Sequence, residues 1–125
     1  MALVLCTGKN PVLIQTRKLI LESAGHSVVS CNDYQQLVAA CEKHAFDVAV
    51  IGQAVSRKDK RHMALLIRQS CPSIKILELY VPYEGKMVED ADSWMEAPLP
   101  VPEELAVRVT ELANAAQRQA RSVQQ

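Results

Sequence analysis

Short apolar runs and longer amphipathic stretches alternate along this chain. The most continuous apolar run covers residues 46–51 (FDVAVI), is rich in β-branched residues and is followed by Gly52. A run of this length and character predicts a strand that is covered on both faces. Four other short runs also predict strands, and the last of them contains Trp94. The predicted strands are residues 2–7, 26–31, 46–51, 74–79 and 92–96.

Four amphipathic stretches between these runs predict helices. The first has clear signals at both ends, because Asn10 suits an N-cap, Pro11 suits the first helical position and Gly25 suits the C-terminal end. Its helical spacing places Arg17 on the same face as apolar residues. Asp33 is positioned to cap the second helix. The predicted helices are residues 11–24, 34–44, 56–70 and 102–116.

The connection between the last two predicted strands lacks a helical pattern. Residues 80–90 include Pro82 and Gly85, which predict a loop with at most one or two helical turns. Strands that alternate with helices favour a parallel sheet with helices on both faces, joined by right-handed crossovers. We therefore predict an α/β, doubly wound, five-stranded parallel sheet of order 2-1-3-4-5, with the fourth helix shortened or absent. The domain is expected to cover residues 1–118, followed by a polar tail at 119–125.

The composition narrows the class of protein. The chain has 125 residues, which suits one domain, and its 14 acidic and 14 basic residues give no electrostatic argument for binding nucleic acid. No apolar run is long enough to span a membrane and the first residues lack signal-peptide features, so a cytoplasmic location is expected. Cys6, Cys31, Cys41 and Cys71 lack metal-ligand spacing and are interpreted as small buried thiols.

The other polar residues show no catalytic pattern. His26, His44 and His62 lie far apart in the chain and are interpreted as surface residues. The basic run at residues 57–61 is interpreted as the solvated start of a helix. Because neither a nucleophile with its base nor a nucleotide-binding glycine motif is indicated, we expect no enzymatic activity and no cofactor.

Several segments resemble one known family in their order and spacing. They are Asn10-Pro11 with residues 19–29 (LILESAGHSVV), residues 46–51 (FDVAVI), and residues 91–94 (ADSW) followed by Ala97-Pro98 and residues 102–105. No segment is specific alone, but together they make the chain from Ala2 to about Ala116 similar to the receiver domain of bacterial response regulators. The resemblance implies a flavodoxin-like, receiver-like fold and a role in two-component, phosphorelay signal transduction.

The resemblance also implies a chemistry from which this chain departs. Receivers transfer a phosphoryl group from a histidine kinase to their own aspartate, and carboxylates hold the divalent cation that this step needs. The family's acidic pair corresponds to Gly8 and Lys9, its acceptor to Gly52, its hydroxyl residue to Tyr80 and its lysine to Ala97. Lys9 is expected to place a positive charge near the cation position. We therefore interpret the chain as a degenerate pseudo-receiver without phosphorylation and without a metal.

A pseudo-receiver would act through protein contact. A missing fourth helix is expected to uncover one side of the sheet near Leu79 and Trp94, and with Tyr83 these residues form the predicted interaction surface. Trp94 has a second interpretation, in which it packs under the loop at residues 80–90. The expected partner is an unidentified signalling protein or a second copy of the same chain, which would make a homodimer.

Three other functions stay open. One is a sensor of a small anionic ligand at the edge formed by Gly8, Lys9 and Gly52, because helix N-termini and glycines favour close contact with anions. Another is an atypically phosphorylated phosphorelay regulator that uses an unusual acceptor. The third is a structural subunit, which a tight constitutive oligomer would distinguish.

Overall fold

The computed structural model describes residues 2–99 and 101–124, with side chains as far as residue 119. Over these residues the chain forms five strands and four helices. The elements are β1 (Leu3–Thr7), α1 (Pro11–Ser23), β2 (Ser27–Cys31), α2 (Tyr34–Lys43), β3 (Val48–Ile51), α3 (Arg57–Ser70), β4 (Lys75–Tyr80), β5 (Ser93–Glu96) and α4 (Glu103–Gln124). All neighbouring strands are parallel, and their order is β2-β1-β3-β4-β5. The predicted doubly wound fold is confirmed.

β3 lies at the centre of the sheet, between β1 and β4. Each of its residues, Val48–Ile51, is at most 1% exposed. This burial explains the continuous apolar run, because a strand covered on both faces has no solvent side on which to place polar residues. Gly52 follows β3 directly and therefore lies at the carboxyl edge of the sheet, which is the usual place for ligands in this class of fold.

Helices cover both faces of the sheet. α1 and α4 cover one face, where Leu21 and Leu105 share a buried apolar cluster with Leu79. α2 and α3 cover the other face, where Leu37 and Met63 belong to a second cluster. Burial of each apolar helical face contributes most of the stability of such a layered domain.

The predicted helix ends are confirmed. The Asn10 side chain accepts hydrogen bonds from the backbone N–H groups of Val12 and Leu13 at 3.0 and 3.2 Å. The Asp33 carboxylate accepts from the N–H of Gln36 at 2.8 Å and caps α2. After α1 the chain turns at Gly25, whose φ of 91° lies in the left-handed region that favours glycine.

α4 is longer than the sequence pattern predicts. It continues to Gln124, past the expected domain boundary at residue 118, so most of the predicted polar tail is helical backbone. Gln125 lies outside the described residues, and the domain boundary stays a prediction. Among the described helices, none combines the length with the apolar character that crossing a membrane requires.

His26 is buried, and its interpretation as a surface residue is wrong. It is 6% exposed and its Nδ1 accepts a hydrogen bond from the Ala2 N–H at 3.1 Å. Its Nε2 therefore carries the proton and donates to the Thr110 Oγ1 at 3.0 Å. Burial lowers the pKa of His26. The turn before β2 packs against α4, a contact that the local sequence does not reveal.

The segment between β4 and β5 contains no helix in the described structure, as predicted. A buried carboxylate holds this loop in place. Glu78 of β4 is 0% exposed and accepts hydrogen bonds from the backbone N–H groups of Met87 and Val88, at 3.0 Å and 2.8 Å. In a helix these two backbone N–H groups would donate to carbonyls of the same helix. In this loop the Glu78 carboxylate accepts their hydrogen bonds. The loop then places Val88 and Ala91 in the apolar cluster on that face.

A buried ion pair completes this arrangement. Lys60, near the start of α3, is 1% exposed, and its Nζ donates to Glu78 Oε2 and to the Leu79 carbonyl, both at 2.8 Å. The interpretation of residues 57–61 as a wholly solvated run is therefore wrong at Lys60. The reason is tertiary: the carboxylate that neutralises this cation comes from a strand 18 residues further along the chain.

We predict that Lys60→Met lowers the free energy of unfolding by roughly 3–5 kcal/mol, because Glu78 would remain buried without its counter-charge. Arg61→Ala is the matched control in the same helix, since the Arg61 side chain is 52% exposed and pairs with the exposed Glu89. It should cost less than about 1 kcal/mol. Urea denaturation at pH 7 measures both values. Similar small losses in the two variants would contradict a structural role for the buried pair.

The cysteines allow a second prediction, on thiol reactivity. All four are free, with Cys6, Cys31 and Cys41 buried and Cys71 half-buried. Burial raises the pKa of Cys6 and Cys41 to about 12 and that of Cys31 to about 11. Because the thiolate is the nucleophile, these three thiols should be protonated and unreactive at pH 8.

Iodoacetamide at pH 8 should therefore label Cys71 alone in the folded protein and all four cysteines in urea, as counted by intact mass. Thermal melts with and without reductant should coincide, because no disulfide contributes to the fold. Rapid labelling of a second thiol in the folded protein, or a large fall in Tm with reductant, would contradict this assignment.

Candidate functional site

The carboxyl edge of the sheet brings together two glycines. Gly8 follows β1 and Gly52 follows β3, and both are buried. The Gly52 N–H donates to the Thr7 carbonyl at 3.1 Å, which joins the ends of these neighbouring strands. A Cβ at Gly8 would lie 3.6 Å from the Ile14 side chain, an ordinary contact. The position next to Gly52 is much more crowded.

Arg17 of α1 occupies the space beside Gly52. A Cβ built on Gly52 would lie 2.7 Å from Arg17 Nη1 and 3.3 Å from the Thr7 carbonyl oxygen. The guanidinium stays at this place through a short hydrogen bond from its Nη2 to the Gln53 side-chain oxygen. A side chain at position 52 would therefore displace Arg17, and glycine is the residue that fits without rearrangement.

The charge of Arg17 is buried without an acidic partner. The residue is 7% exposed, and no carboxylate among the described side chains lies within ion-pair distance of it. Burial lowers the pKa of Arg17, and burial also raises the pKa of the neighbouring Cys6 thiol to about 12. A neutral thiol and a neutral amide thus face this cation. An unpaired charge at such burial is costly and unusual in a folded protein.

Arg17, and not Lys9, is the cation that lies beside Gly52. Its Nζ lies 5.6 Å from the centre of the Tyr34 ring, on the side of α2. The Tyr34 hydroxyl donates a short hydrogen bond to Asp59 of α3, and this bond is the main reason why the pKa of Asp59 is lowered. Lys9 is exposed and extends to this cluster. The space beside Gly52 is filled by Arg17 instead.

Tyr80 and Ala97 lie at the ends of the neighbouring strands β4 and β5. The Ala97 N–H donates to the Tyr80 carbonyl at 2.8 Å, and Ala97 is buried. The peptide bond between Ala97 and Pro98 is cis. Tyr80 is half-buried, and Lys86 lies 5.9 Å from the centre of its ring. These two positions therefore lie at the same edge of the sheet, as the resemblance implies. Tyr80 has no small hydroxyl side chain and Ala97 has no ammonium group.

The donor set at this edge does not fit a magnesium ion. Magnesium prefers oxygen ligands, mainly carboxylates. Gly8 and Gly52 have no side-chain oxygen, and the nearest charged group is the Arg17 guanidinium. Among the described residues, no group of three or more histidine, cysteine or acidic side chains is placed to hold a metal.

The predicted interaction surface needs two corrections. Leu79 is 0% exposed and lies on the sheet face under α1 and α4, so it is part of the core. The opposite face is not uncovered either, because the loop held by Glu78 lies across it. Tyr83, near the start of this loop, is 85% exposed.

Trp94 combines features of both interpretations of this residue. It is half-buried against the apolar cluster, and its indole N–H donates to the Val88 carbonyl at 3.1 Å, so it packs under the loop. Lys86 lies 4.7 Å from the centre of its ring and covers part of its outer surface. Trp94 thus supports the loop and still contributes to the surface.

A groove runs along β5 beside these residues. It has a volume of about 280 Å³ and includes Tyr80, Trp94 and Arg108 of α4 in its lining. Arg108 donates a short hydrogen bond to the Ser93 hydroxyl and a second one, at 3.3 Å, to the Trp94 carbonyl. We call Tyr80, Tyr83, Lys86, Trp94 and Arg108 together the β5 face.

Three residues with central roles were not identified from the sequence: Arg17, Lys60 and Glu78. Two of them have a weak signal in the pattern. Arg17 stands at an apolar helical position, and Glu78 interrupts an otherwise apolar strand. Lys60 carries no signal, because it lies within a basic run. A charged residue at a position where periodicity predicts burial is the feature that would have indicated the first two.

Comparison with protein-family models gives no match, and comparison with curated proteins gives none either. Solved structures do match. A CheY-like receiver domain protein from Methanospirillum hungatei is 16% identical with a TM-score of 0.78, over 95% of this chain and 98% of that one. The chemotaxis response regulator CheY4 of Vibrio cholerae is 22% identical with a TM-score of 0.74, over 90% and 98%.

A third structure is the receiver domain of the sensor histidine kinase PA1611 from Pseudomonas aeruginosa, in which a magnesium ion is coordinated in the active-site cleft. It is 18% identical with a TM-score of 0.76, over 90% of this chain and 98% of that chain. Together with the strand order and the flanking helices, these matches show that the chain has the flavodoxin-like fold of response-regulator receiver domains.

Proposed function

We propose that this chain is a receiver-like signalling module that acts through protein contact and is not regulated by aspartyl phosphorylation. The observation that carries the proposal is the position of Arg17. Its guanidinium lies 2.7 Å from where the Cβ of any side chain at Gly52 would be. The place that the resemblance assigns to the acceptor is therefore taken by a cation of the protein itself.

The neighbouring positions support the same proposal. Phosphoryl transfer to a receiver needs a nucleophilic carboxylate, a hard cation held by oxygen ligands, and donors for the phosphoryl oxygens. Gly8, Gly52 and Ala97 provide none of these groups, and Lys9 contacts the Tyr34 ring. Loss of one group would suggest altered rates of phosphoryl transfer. Loss of every group favours a module that does not carry out phosphoryl transfer.

The β5 face is the proposed contact surface. Within the part of the chain that the structure describes, β5 lies at the edge of the sheet and pairs with β4 alone, so its outer backbone groups have no strand partner there. Tyr80, Trp94 and Arg108 line this edge and Tyr83 is exposed on the adjoining loop, and these residue types are enriched at interface hot spots. The proposed partner is a signalling protein or a second copy of the chain.

Acetyl phosphate with magnesium should leave the intact mass of the protein unchanged, since no acceptor carboxylate stands at the end of β3. A phosphorylatable receiver domain treated in parallel is the positive control. Gly52→Asp should also remain unmodified, because Gly8 and Lys9 supply no carboxylate to hold the magnesium ion. A stoichiometric, magnesium-dependent phosphoryl adduct on the unaltered chain would overturn the proposal and favour an unusual acceptor.

Tyr83→Ala is the sharper test of the β5 face, because the side chain is exposed and its loss should change stability by less than about 0.5 kcal/mol. If the face binds a partner, the variant should weaken association by roughly 2 kcal/mol. Trp94→Ala should weaken association and also destabilise the fold, since Trp94 supports the loop.

Leu19→Ala is the matched control, because Leu19 is 55% exposed on α1 and does not belong to the β5 face. Self-association is measured by sedimentation, and partner capture by a quantitative pull-down from the cell of origin with each variant immobilised. Equal association of Tyr83→Ala, Leu19→Ala and the unaltered chain would exclude the β5 face as the contact surface.

A further inference from the structure

A small cavity lies between α1 and the segment that joins β5 to α4. Its volume is about 150 Å³, and its lining includes the hydrogen-bonded pair Arg17 and Gln53. The other walls are mostly apolar. They are formed by Leu13, Thr16, Ile20, Ala97, Pro98, Leu99 and Pro102.

The charge of Arg17 is the unusual feature of this cavity. A guanidinium presents five N–H donors, and among the described side chains Arg17 donates only to the neutral Gln53 amide. Arginine at 7% exposure is normally paired with a carboxylate or phosphate, because an unpaired buried charge is strongly disfavoured. The described side chains supply no such partner.

The size and lining of the cavity define what would fit. A space of about 150 Å³ admits a molecule of a few non-hydrogen atoms. A carboxylate matches the fork of a guanidinium through two parallel hydrogen bonds. Apolar walls favour an alkyl group beside that carboxylate and disfavour an anion that is charged on all sides, such as phosphate.

We propose that this cavity binds a small aliphatic monocarboxylate, with Arg17 as the residue that binds its carboxylate. The site lies at the carboxyl edge of the sheet, where ligands bind in open parallel α/β folds. It differs from an anion site at Gly8 and Lys9, because Lys9 is directed to Tyr34. Ligand binding here would join α1 to the β5–α4 connection, next to the β5 face. The inference does not depend on whether the β5 face binds a partner.

Gln53→Glu is the most informative variant. It places a carboxylate, nearly isosteric with the amide, at the atom that already accepts from Arg17 Nη2. The protein would then neutralise its own buried cation. We expect this variant to have a higher Tm than the unaltered chain, by roughly 3 °C or more, and to bind monocarboxylates at least tenfold more weakly.

The probe is sodium propionate at pH 7, compared with propionamide, sodium phosphate and sodium chloride at matched concentration and ionic strength. Propionate should raise the Tm of the unaltered chain by about 5 °C or more near saturation. Propionamide has the same shape without the charge and should not raise the Tm. Chloride should not raise it either. Calorimetric titration gives the dissociation constants.

Arg57→Gln is the matched charge control, because it removes an exposed arginine outside the cavity. It should respond to propionate as the unaltered chain does. The proposal is overturned if propionate gives no shift, if propionamide gives the same shift, or if Gln53→Glu responds like the unaltered chain. A stronger response to phosphate than to propionate would overturn the monocarboxylate class. None of these outcomes bears on the phosphodonor test, so the two proposals fail separately.

Discussion

The buried ion pair between Lys60 and Glu78 determines how this sheet is covered. Between β4 and β5 the chain has a loop where the fold otherwise alternates strand with helix, and a loop pairs fewer of its own backbone groups than a helix does. Glu78 accepts from two of those N–H groups, and Lys60 neutralises the carboxylate. The apolar side chains of the loop can then lie on the sheet. The face stays covered although the helix is absent.

The same loop shapes the proposed contact surface. It places Tyr83 in solvent, and it positions Lys86 over the ring of Trp94 while Val88 accepts from the indole N–H. An interface built in this way depends on a short connection with a fixed backbone rather than on a helix. The shape of this interface would depend on Glu78, the buried carboxylate beneath the loop.

The two buried cations Lys60 and Arg17 differ in the charge of their hydrogen-bond partners. Lys60 has a carboxylate and a backbone carbonyl as partners, whereas Arg17 has a neutral amide. Pairing makes the first a structural element, because both charges are satisfied within the chain. The second is placed at the carboxyl edge of the sheet, beside a glycine that makes room for it and next to a cavity. A cation at that place without a carboxylate partner among the described side chains is better explained by ligand binding than by stability.

The sequence by itself determined the order of the strands and helices, the helix caps at Asn10 and Asp33 and the missing fourth helix, because these depend on local periodicity and on turn-forming residues. It also determined that the receiver chemistry has no carboxylates at Gly8 and Gly52.

Only the tertiary structure decided which charges are buried and what they meet. Lys60 and Glu78 are 18 positions apart in the chain, and Arg17 and Gln53 are 36 apart. Leu79 is expected at an open face and Trp94 either there or under the loop, and the pleat of the sheet directs them to opposite faces, where helices bury Leu79 and the loop partly covers Trp94. Contacts between such distant positions follow from the packing of layers, which local periodicity does not encode.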